Sequence, residues 1–432
     1  MHGIASIGWL FAFFFSKLQP FFWNRGLKHA QNFRQLVSSN HKDRYLFFCS
    51  SAGEYEQGLP IARKLENTGG EVVICFFSRS GYEFAQARQE KRCYFLSPAD
   101  SYWSWKGIFK ILEPRASFVV RHEIWPGFLK FASSWRQGVF LINASKSLSA
   151  KSHLQHRLKG MLFSYFRKIY FVSEQDHEYF TQELGLPAKK LVCTGDSKYD
   201  SVYERSMLKK TEASKYRDLL ARFGKIDSRL VIGSAWEKDV EVGLGALTDL
   251  KHQTSKSLQL MIALHKPEEH AVADIERSCR KLGLSSRRLS TMLLTDRQNL
   301  QGIPQSPYDV IIVDSVGILS ELYCCGDLAF VGGALHYQVH NVLEPAFYAL
   351  ALAYGPLYKN SGEAVLLAEA KVISIVKDKN DLANWWTDQI SAGYESGQRA
   401  SALIKSYLGA SEEILADLKA EHIFYDGKTT HH

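Results

Sequence analysis

Short, unbroken apolar runs of strand length recur along this chain, and each is followed by a stretch that can form a helix. Tyr45–Cys49 (YLFFC) and Val72–Phe77 (VVICFF) are the first two runs, and the alternation restarts after Lys225. Continuous apolar strands separated by helices are typical of a parallel sheet that is covered on both faces. The pattern therefore predicts an α/β protein with two doubly wound domains.

The same pattern predicts the remaining strands. In the first domain they are expected at Ser117–Val120, Val139–Ile142 and Ile169–Val172. In the second domain they are expected at Leu230–Ile232, Leu258–Leu264, Val310–Val313, Leu328–Val331 and Leu350–Tyr354. Open α/β sheets bind ligands at the carboxyl ends of their strands. We therefore expect the functional residues directly after strands, in a cleft between the two domains.

The domain boundaries follow from where the alternation stops. A chain of 432 residues is long for a single hydrophobic core, and the stretch from Tyr203 to Lys225 is charged without a strand pattern. The predicted division is an N-terminal segment (1–40), a first domain (41–203), a linker (204–225), a second domain (226–380) and a helical tail (381–432).

The N-terminal segment is strongly aromatic. Its apolar run Ile7–Phe15 has only nine residues, whereas roughly 20 are needed to cross a bilayer. Lys17, Arg25 and Lys28 follow it, and aromatic residues next to basic ones suit a segment that lies in the membrane interface. The alternative is a helix that packs in the core or on a partner.

Composition excludes several classes of protein. The net charge of +8 favours anionic ligands, but no long Lys/Arg run is present, so nucleic acid is not expected. Seven cysteines without a C-x-x-C pair suit a reducing cytoplasm and indicate no zinc site. A P-loop and a G-x-S-x-G elbow are both absent from the sequence.

Three loops of the first domain carry candidate chemistry. Ser50–Glu54 follows a strand and opens a helix, so Glu54 could act as a general base, or simply compensate the helix dipole. Arg121–Pro126 follows another strand and could position a sugar or a phosphate, or form a salt-bridged loop. Lys198, in the third loop, could stabilise a departing phosphate or be a solvated turn residue.

The second domain has a comparable set of loops. His265 and Lys266 follow a strand and could meet a phosphate, while Glu344 could accept ribose hydroxyls. Gly332 and Gly333 allow close backbone approach to a ligand, although such a pair can also be only a turn.

Taken in order, these loops resemble those of the Kdo transferase family, which attaches 3-deoxy-D-manno-octulosonic acid (Kdo) to lipid A precursors. The similar motifs are SAGE (51–54), HEIWPG (122–127), GDSKYD (195–200), HKPE (265–268), DSVGIL (314–319), FVGGAL (330–335) and HNVLEPA (340–346). The family consists of inverting glycosyltransferases of the GT-B fold. The resemblance thus implies two Rossmann-like domains facing across a cleft, CMP-Kdo as donor, and no cofactor or metal.

The resemblance also implies roles for individual residues. Glu54 is the general base, Glu123 the second acidic residue that supports the transition state, and Lys198 the residue that stabilises the leaving group. The expected CMP-Kdo ligands are His265, Lys266, Gly317, Ile318, Leu319, Asn341, Val342, Leu343 and Glu344. The implied partners are CMP-Kdo, a lipid A precursor and, through the N-terminal segment, the cytoplasmic face of the inner membrane.

The chain departs from the family pattern in its donor loops. His265 replaces an arginine, and an imidazole is only partly charged at pH 7 and forms no bidentate fork. Ile318 replaces an acidic residue, and Gln338-Val339 stands where two glycines are usual. Two alternatives therefore stay open: another GT-B transferase or epimerase with a UDP-type donor, and a non-catalytic glycolipid-binding homologue.

Overall fold

A computed structural model describes residues 43–88, 90, 92–121, 124–146, 153–297 and 307–424. The chain divides into two compact units. The first unit comprises Met1–Ser201 together with Leu408–His432, and the second is Val202–Tyr407. The predicted N-terminal segment and Glu123 lie outside the described residues.

The first unit alternates strands with helices from its beginning. Its elements are β1 (Arg44–Cys49), α1 (Ala52–Asn67), β2 (Glu71–Phe76), α2 (Arg79–Ala87), β3 (Cys93–Leu96), α3 (Tyr102–Leu112), β4 (Ala116–Val120), α4 (Pro126–Ala132), β5 (Val139–Ala144), α5 (His153–Phe163), β6 (Lys168–Phe171), α6 (Glu174–Glu178), β7 (Leu191–Cys193) and α7 (Ser197–Glu212). Helix α7 continues past Ser201 into the second unit.

The second unit repeats the alternation. Its elements are α8 (Ser214–Arg222), β8 (Ser228–Ala235), α9 (Glu237–Gln253), β9 (Leu258–Leu264), α10 (Glu269–Lys281), β10 (Ser286–Arg288), α11 (Leu289–Arg297), β11 (Val310–Val313), α12 (Leu319–Tyr323), β12 (Leu328–Val331), α13 (Leu343–Phe347), β13 (Ala351–Tyr354), α14 (Gly362–Glu369), β14 (Ile373–Ile375), α15 (Lys379–Ser391) and α16 (Glu395–Lys405). Helix α17 (Ala410–Ala420) follows and belongs to the first unit.

Each unit contains one seven-stranded sheet, ordered β3-β2-β1-β4-β5-β6-β7 in the first and β10-β11-β9-β8-β12-β13-β14 in the second. Every pairing is parallel. The prediction of two doubly wound α/β domains is therefore confirmed.

The continuous apolar runs are explained by burial on both sheet faces. In β1, Leu46 and Phe48 pack in one hydrophobic cluster while Tyr45 and Phe47 pack in the cluster on the opposite face. Successive side chains of a strand point to opposite faces, so a strand that is covered on both sides has no polar positions to alternate with.

The strands that the sequence pattern missed are the edge strands of both sheets. They are β3, β7, β10 and β14, with three or four residues each. An edge strand pairs on one side only and needs fewer buried residues. In β10 none of the three residues of Ser286–Arg288 is fully buried, so no apolar run marks it.

The division of the chain differs from the predicted one. The stretch predicted as a linker is mostly helical, since α7 and α8 cover it. The predicted tail is shared between the units: α15 and α16 belong to the second, whereas Ile414 and Leu418 of α17 pack in a core cluster of the first. Within the described residues, no helix is both long enough and apolar enough to cross a bilayer.

Candidate functional site

A predicted loop of each unit lies at the switch point of its sheet, where strand order reverses. In the first sheet this point is between β1 and β4, and in the second between β8 and β12. Crevices for ligands form outside the carboxyl ends of strands at such points. The loop containing Glu54 follows β1, and the loop containing Gly332 follows β12.

Glu54 is half-buried in the first turn of α1, and its carboxylate is turned back onto its own loop. Ser51 caps the helix, because its Oγ accepts the N–H of Glu54 at 3.3 Å, and Oε2 of Glu54 accepts the N–H of Ser50. This arrangement stabilises the helix terminus. One oxygen of the carboxylate thus has a structural role at the start of α1, and this role is compatible with a base function, since a carboxylate has two acceptor oxygens.

Lys198 begins α7 beside two other charged residues. Asp196 Oδ1 accepts the N–H of Lys198 at 2.8 Å, and Asp196 Oδ2 lies 3.7 Å from Nη2 of Arg121. Arg121 has a positive φ of 70°, and its Nε is buried without a hydrogen-bond partner among the described residues. The ends of β4 and β7 therefore bring Arg121, Asp196 and Lys198 together.

A buried polar network joins α1 to α7. Asn143, at the end of β5, donates from Nδ2 to Ser197 Oγ at 2.7 Å and accepts the N–H of Ser197 at 3.1 Å. Ser197 Oγ donates to the carbonyl of Gln57 at 2.7 Å. Gln57 lies one turn after Glu54, and Ser197 precedes Lys198, so the network fixes the two helix starts relative to each other.

In the second unit, Asp239 ties the loop after β8 to the loop after β12. Its Oδ2 accepts the N–H groups of Trp236 and Gly333, each at 2.9 Å. Burial raises the pKa of Asp239, whose Oδ1 has no partner among the described residues. The two glycines serve this packing, since a Cβ on Gly332 would lie 2.8 Å from Asp239 Oδ2.

Three imidazoles surround Trp236 at these loops. Trp236 Nε1 donates to His340 Nε2 at 3.1 Å, and the ring of His265 stacks on Trp236 and His340 with centroid distances of 5.0 and 4.7 Å. His336 meets Trp236 edge-on at 5.2 Å. Burial lowers the pKa of His340, and the neighbouring His265 and His336 lower it further. His340 is therefore neutral at pH 7, with Nε2 as the acceptor.

Glu344 is held by an arginine from α7. Arg205 donates from Nε at 3.1 Å and from Nη2 at 2.7 Å, both to Oε1 of Glu344. Oε2 of Glu344 has no hydrogen-bond partner among the described residues, and the side chain is 14% exposed. One carboxylate oxygen is thus occupied by the protein, and the other is available to a ligand hydroxyl.

The three residues before Glu344 differ in which of their atoms can contact a ligand. Asn341 is exposed, and its Oδ1 accepts the N–H of Leu343 at 3.0 Å, which leaves the amide NH₂ without a partner among the described residues. The side chains of Val342 and Leu343 are buried in the core. Of these two residues, only main-chain atoms can therefore contact a ligand.

The loop after β11 completes the predicted set. Gly317 is exposed with φ 83°, a conformation that favours glycine, and the space beside it is open. Ile318 and Leu319 are half-buried at the start of α12, and Leu319 packs close to Gly233 at the end of β8. Lys266 is exposed after β9 and forms no ion pair within the described part of the chain.

The structure thus groups the predicted residues within each unit. Glu54 and Lys198 belong to one group, and Glu123 lies outside the described residues. The donor residues form the other group, which also includes Arg205, Trp236, His336, His340 and Asp239. Sequence reasoning gave these five no role. His340 lies in a motif that the sequence analysis identified, whereas Arg205 had no signal, because its helix was predicted to be a linker.

Comparisons with known proteins agree with the motifs. Residues 23–201 match a family model described as 3-deoxy-D-manno-octulosonic-acid transferase (kdotransferase). The chain is 29% identical over 344 residues to the 3-deoxy-D-manno-octulosonic acid transferase of Chlamydia muridarum, covering 78% of this chain and 75% of that protein. It is 26% identical over 349 residues to that of Aquifex aeolicus, covering 80% and 86%. The resemblance to Kdo transferases, and the prediction of a glycosyltransferase enzyme, are confirmed.

Solved structures agree on the fold. A UDP-GlcNAc 2-epimerase from Neisseria meningitidis bound to UDP-GlcNAc matches with a TM-score of 0.59 and 12% identity, over 87% of this chain and 100% of that one. MurG of Acinetobacter baumannii matches with a TM-score of 0.51 and 11% identity, over 88% and 99%. At these identities the likeness concerns the fold alone, and it confirms the GT-B prediction.

Proposed function

We propose that this chain transfers Kdo from CMP-Kdo to a lipid A precursor, with inversion at the anomeric carbon. The observation that carries the proposal is similarity to Kdo transferases over about four-fifths of the chain, 78% for the Chlamydia muridarum relative. The ordered motifs agree with it, because SAGE, GDSKYD, HKPE, DSVGIL and FVGGAL lie at or directly after the carboxyl end of a strand.

The proposed chemistry is a direct displacement. The acceptor hydroxyl oxygen forms a bond to the anomeric carbon of Kdo, its proton goes to Glu54, and the bond from that carbon to the phosphate oxygen of CMP breaks. Lys198 stabilises the negative charge on the departing phosphate, with Glu123 supporting the transition state. One oxygen of Glu54 can accept the proton while Oε2 keeps the N–H of Ser50, since a carboxylate has two acceptor oxygens.

The donor is proposed to bind to the second unit. Oε2 of Glu344 and the amide of Asn341 are the groups without protein partners in the described residues, and they suit ribose hydroxyls. Lys266 offers an exposed cation to the phosphate, and main-chain atoms of Gly317, Ile318, Leu319, Val342 and Leu343 offer further contacts. No resident cofactor or metal is part of this proposal.

The acceptor and the location are proposed from the resemblance. A lipid A precursor lies in a membrane, and the aromatic and basic residues of segment 1–40 suit the cytoplasmic interface of the inner membrane. We therefore place the enzyme there, as a peripheral or monotopic protein.

A second candidate is a transferase or epimerase that uses a UDP-linked sugar. The fold supports it, because the Neisseria meningitidis epimerase, crystallised with UDP-GlcNAc, has the TM-score of 0.59 given above. Thermal stabilisation separates the two candidates. CMP is expected to raise the unfolding temperature more than UDP does, and the reverse order would favour the second candidate.

The direct test uses the full chain with CMP-Kdo, generated in the same reaction, and a lipid A precursor. A product heavier by one or more Kdo units, with release of CMP, is expected. A chain that binds CMP but releases none with any lipid acceptor would instead be a non-catalytic homologue.

A further inference from the structure

The imidazole of His265 has one covered face and one open face. Its ring is nearly parallel to that of Trp236 (16°) and to that of His340 (22°). Trp236 and His340 are also hydrogen-bonded to each other at 3.1 Å. If they lay on opposite faces of His265, they would be too far apart for that bond. Both therefore cover the same face.

The other face of His265 is available. The residue is exposed, and no other aromatic ring in the described part of the chain contacts it. Neither of its ring nitrogens has a hydrogen-bond partner among the described residues. Its position is set by the main chain, because its N–H donates to the carbonyl of Ala235 at 2.9 Å.

The covered face rests on a rigid support. Oδ2 of Asp239 accepts the N–H groups of Trp236 and Gly333, both at 2.9 Å. Gly333 in turn leaves room for His340, since a Cβ there would lie 3.0 Å from the imidazole Cδ2. An exposed aromatic ring normally changes rotamer freely, whereas this ring is stacked on two others whose positions are fixed.

We propose that the open face of His265 is the stacking platform for the pyrimidine base of the nucleotide donor, with Trp236 and His340 as positioning residues. This inference rests on the proposed function. Flat, supported rings are what nucleobases stack on, and histidine serves for this purpose. Lys266, the next residue, remains for the phosphate. Where the family that the chain resembles has an arginine fork, His265 thus offers a flat surface for the base.

Three substitutions of His265 separate stacking from charge. His265→Phe keeps a flat ring without charge, His265→Lys keeps a cation without a ring, and His265→Ala keeps neither. CMP binding to the full chain is measured by calorimetry. Because stacking contributes substantially to nucleotide affinity, we expect the Ala and Lys variants to bind CMP about fivefold more weakly or worse. The Phe variant should keep its CMP affinity within about twofold of the wild type.

His270→Ala is the matched control. This exposed histidine lies five positions further on, has its Nδ1 3.5 Å from a carboxylate oxygen of Glu268, and should leave CMP affinity unchanged. A thermal unfolding curve for each variant shows that it is folded.

If the CMP affinities of the three variants rank in the opposite order, the stacking proposal is wrong. If Lys preserves affinity and Phe loses it, then His265 contacts phosphate; if none of the three changes affinity, the ring has no role. In either case the proposed function survives as long as the wild type binds CMP and transfers Kdo. Failure of the wild type to bind any CMP would overturn both.

Discussion

Arg205 and Glu344 form an ion pair in which two of the three guanidinium nitrogens donate to a single carboxylate oxygen. Nε and Nη2 of Arg205 lie 3.1 and 2.7 Å from Oε1 of Glu344. The residues are 139 positions apart in the chain. Because Oε1 is fixed, the direction of Oε2 is fixed as well, and Arg205 orients the group that is proposed to meet the ribose.

Replacing Arg205 should weaken nucleotide binding more than it weakens the fold. In Arg205→Met the carboxylate of Glu344 loses both donors and can rotate, so we expect roughly tenfold weaker CMP binding, equivalent to about 1.4 kcal/mol. Calorimetric titration of the full chain with CMP measures this change.

Lys209→Met provides the matched control for Arg205. Lys209 lies one turn further along α7 and pairs at 2.9 Å with Glu321, whose side chain is only 3% exposed. Its removal leaves a buried charge unpaired and should lower stability by about 3–5 kcal/mol without changing CMP affinity. Equal losses of affinity in both variants would mean that Arg205 acts through stability alone.

Glu54→Gln should reduce turnover by about 10²–10⁴-fold, the usual contribution of a positioned base, because an amide cannot accept the hydroxyl proton. The amide oxygen can still accept the N–H of Ser50, so the fold should persist. CMP release with a lipid acceptor measures the rate. Glu56→Gln, in the same helix and paired with Arg88 at 3.2 Å, should retain normal turnover. Near-normal turnover in Glu54→Gln would rule out its role as the base.

Asn143→Ala should destabilise the first unit. The substitution removes the side chain that donates to Oγ of the buried Ser197 and accepts its N–H, and it places alanine at a φ of 54°, which disfavours it. We expect a loss of about 1–3 kcal/mol, measured as a lower urea midpoint for that unit. Asn360→Ala is the comparison, because this exposed amide lies 3.5 Å from its acceptor and should change little. A first-unit midpoint that is the same in Asn143→Ala as in the wild type and in Asn360→Ala would contradict the role of the network.

The stability of the second unit should depend on the protonation of His340. Burial lowers the pKa of His340 from 6.5 in the folded chain. As the pH falls below that value, the unfolded chain gains a proton that the folded chain does not, so stability decreases until the pH passes the folded pKa. His340→Gln can still accept from Trp236 and should lose less stability between pH 8 and pH 5. If the unfolding temperature falls equally in the wild type and in His340→Gln between pH 8 and pH 5, this assignment is wrong.

The central strands were predictable from sequence, and the edge strands were not. Tyr45–Cys49 has no polar residue because both faces of β1 are buried, and that run is visible without any structure. Ser286–Arg288 pairs with one neighbour only, and nothing in its polar sequence distinguishes it from a loop.

The loops that form the site were predictable from the sequence, but the contacts between them were not. Glu54 and Glu344 were identified because each follows a strand and belongs to a recognisable motif. Arg205 was missed, because a charged helical stretch gives no hint of a carboxylate far along the chain. Asp239 is an acidic residue in the first turn of α9, which is common in helices, and only the fold brings the N–H of Gly333 to it.

The path of the chain determines how the two units can be separated. Asp200 accepts the N–H of Gly409 at 2.8 Å and that of Ser411 at 2.7 Å, so the chain leaves the first unit and re-enters it at adjacent points. A gene fragment for 202–407 would therefore encode the second sheet whole. Ending a fragment at residue 201 would strip Ile414 and Leu418 from the first core. To express the first unit by itself, a short linker peptide must join Ser201 to Leu408.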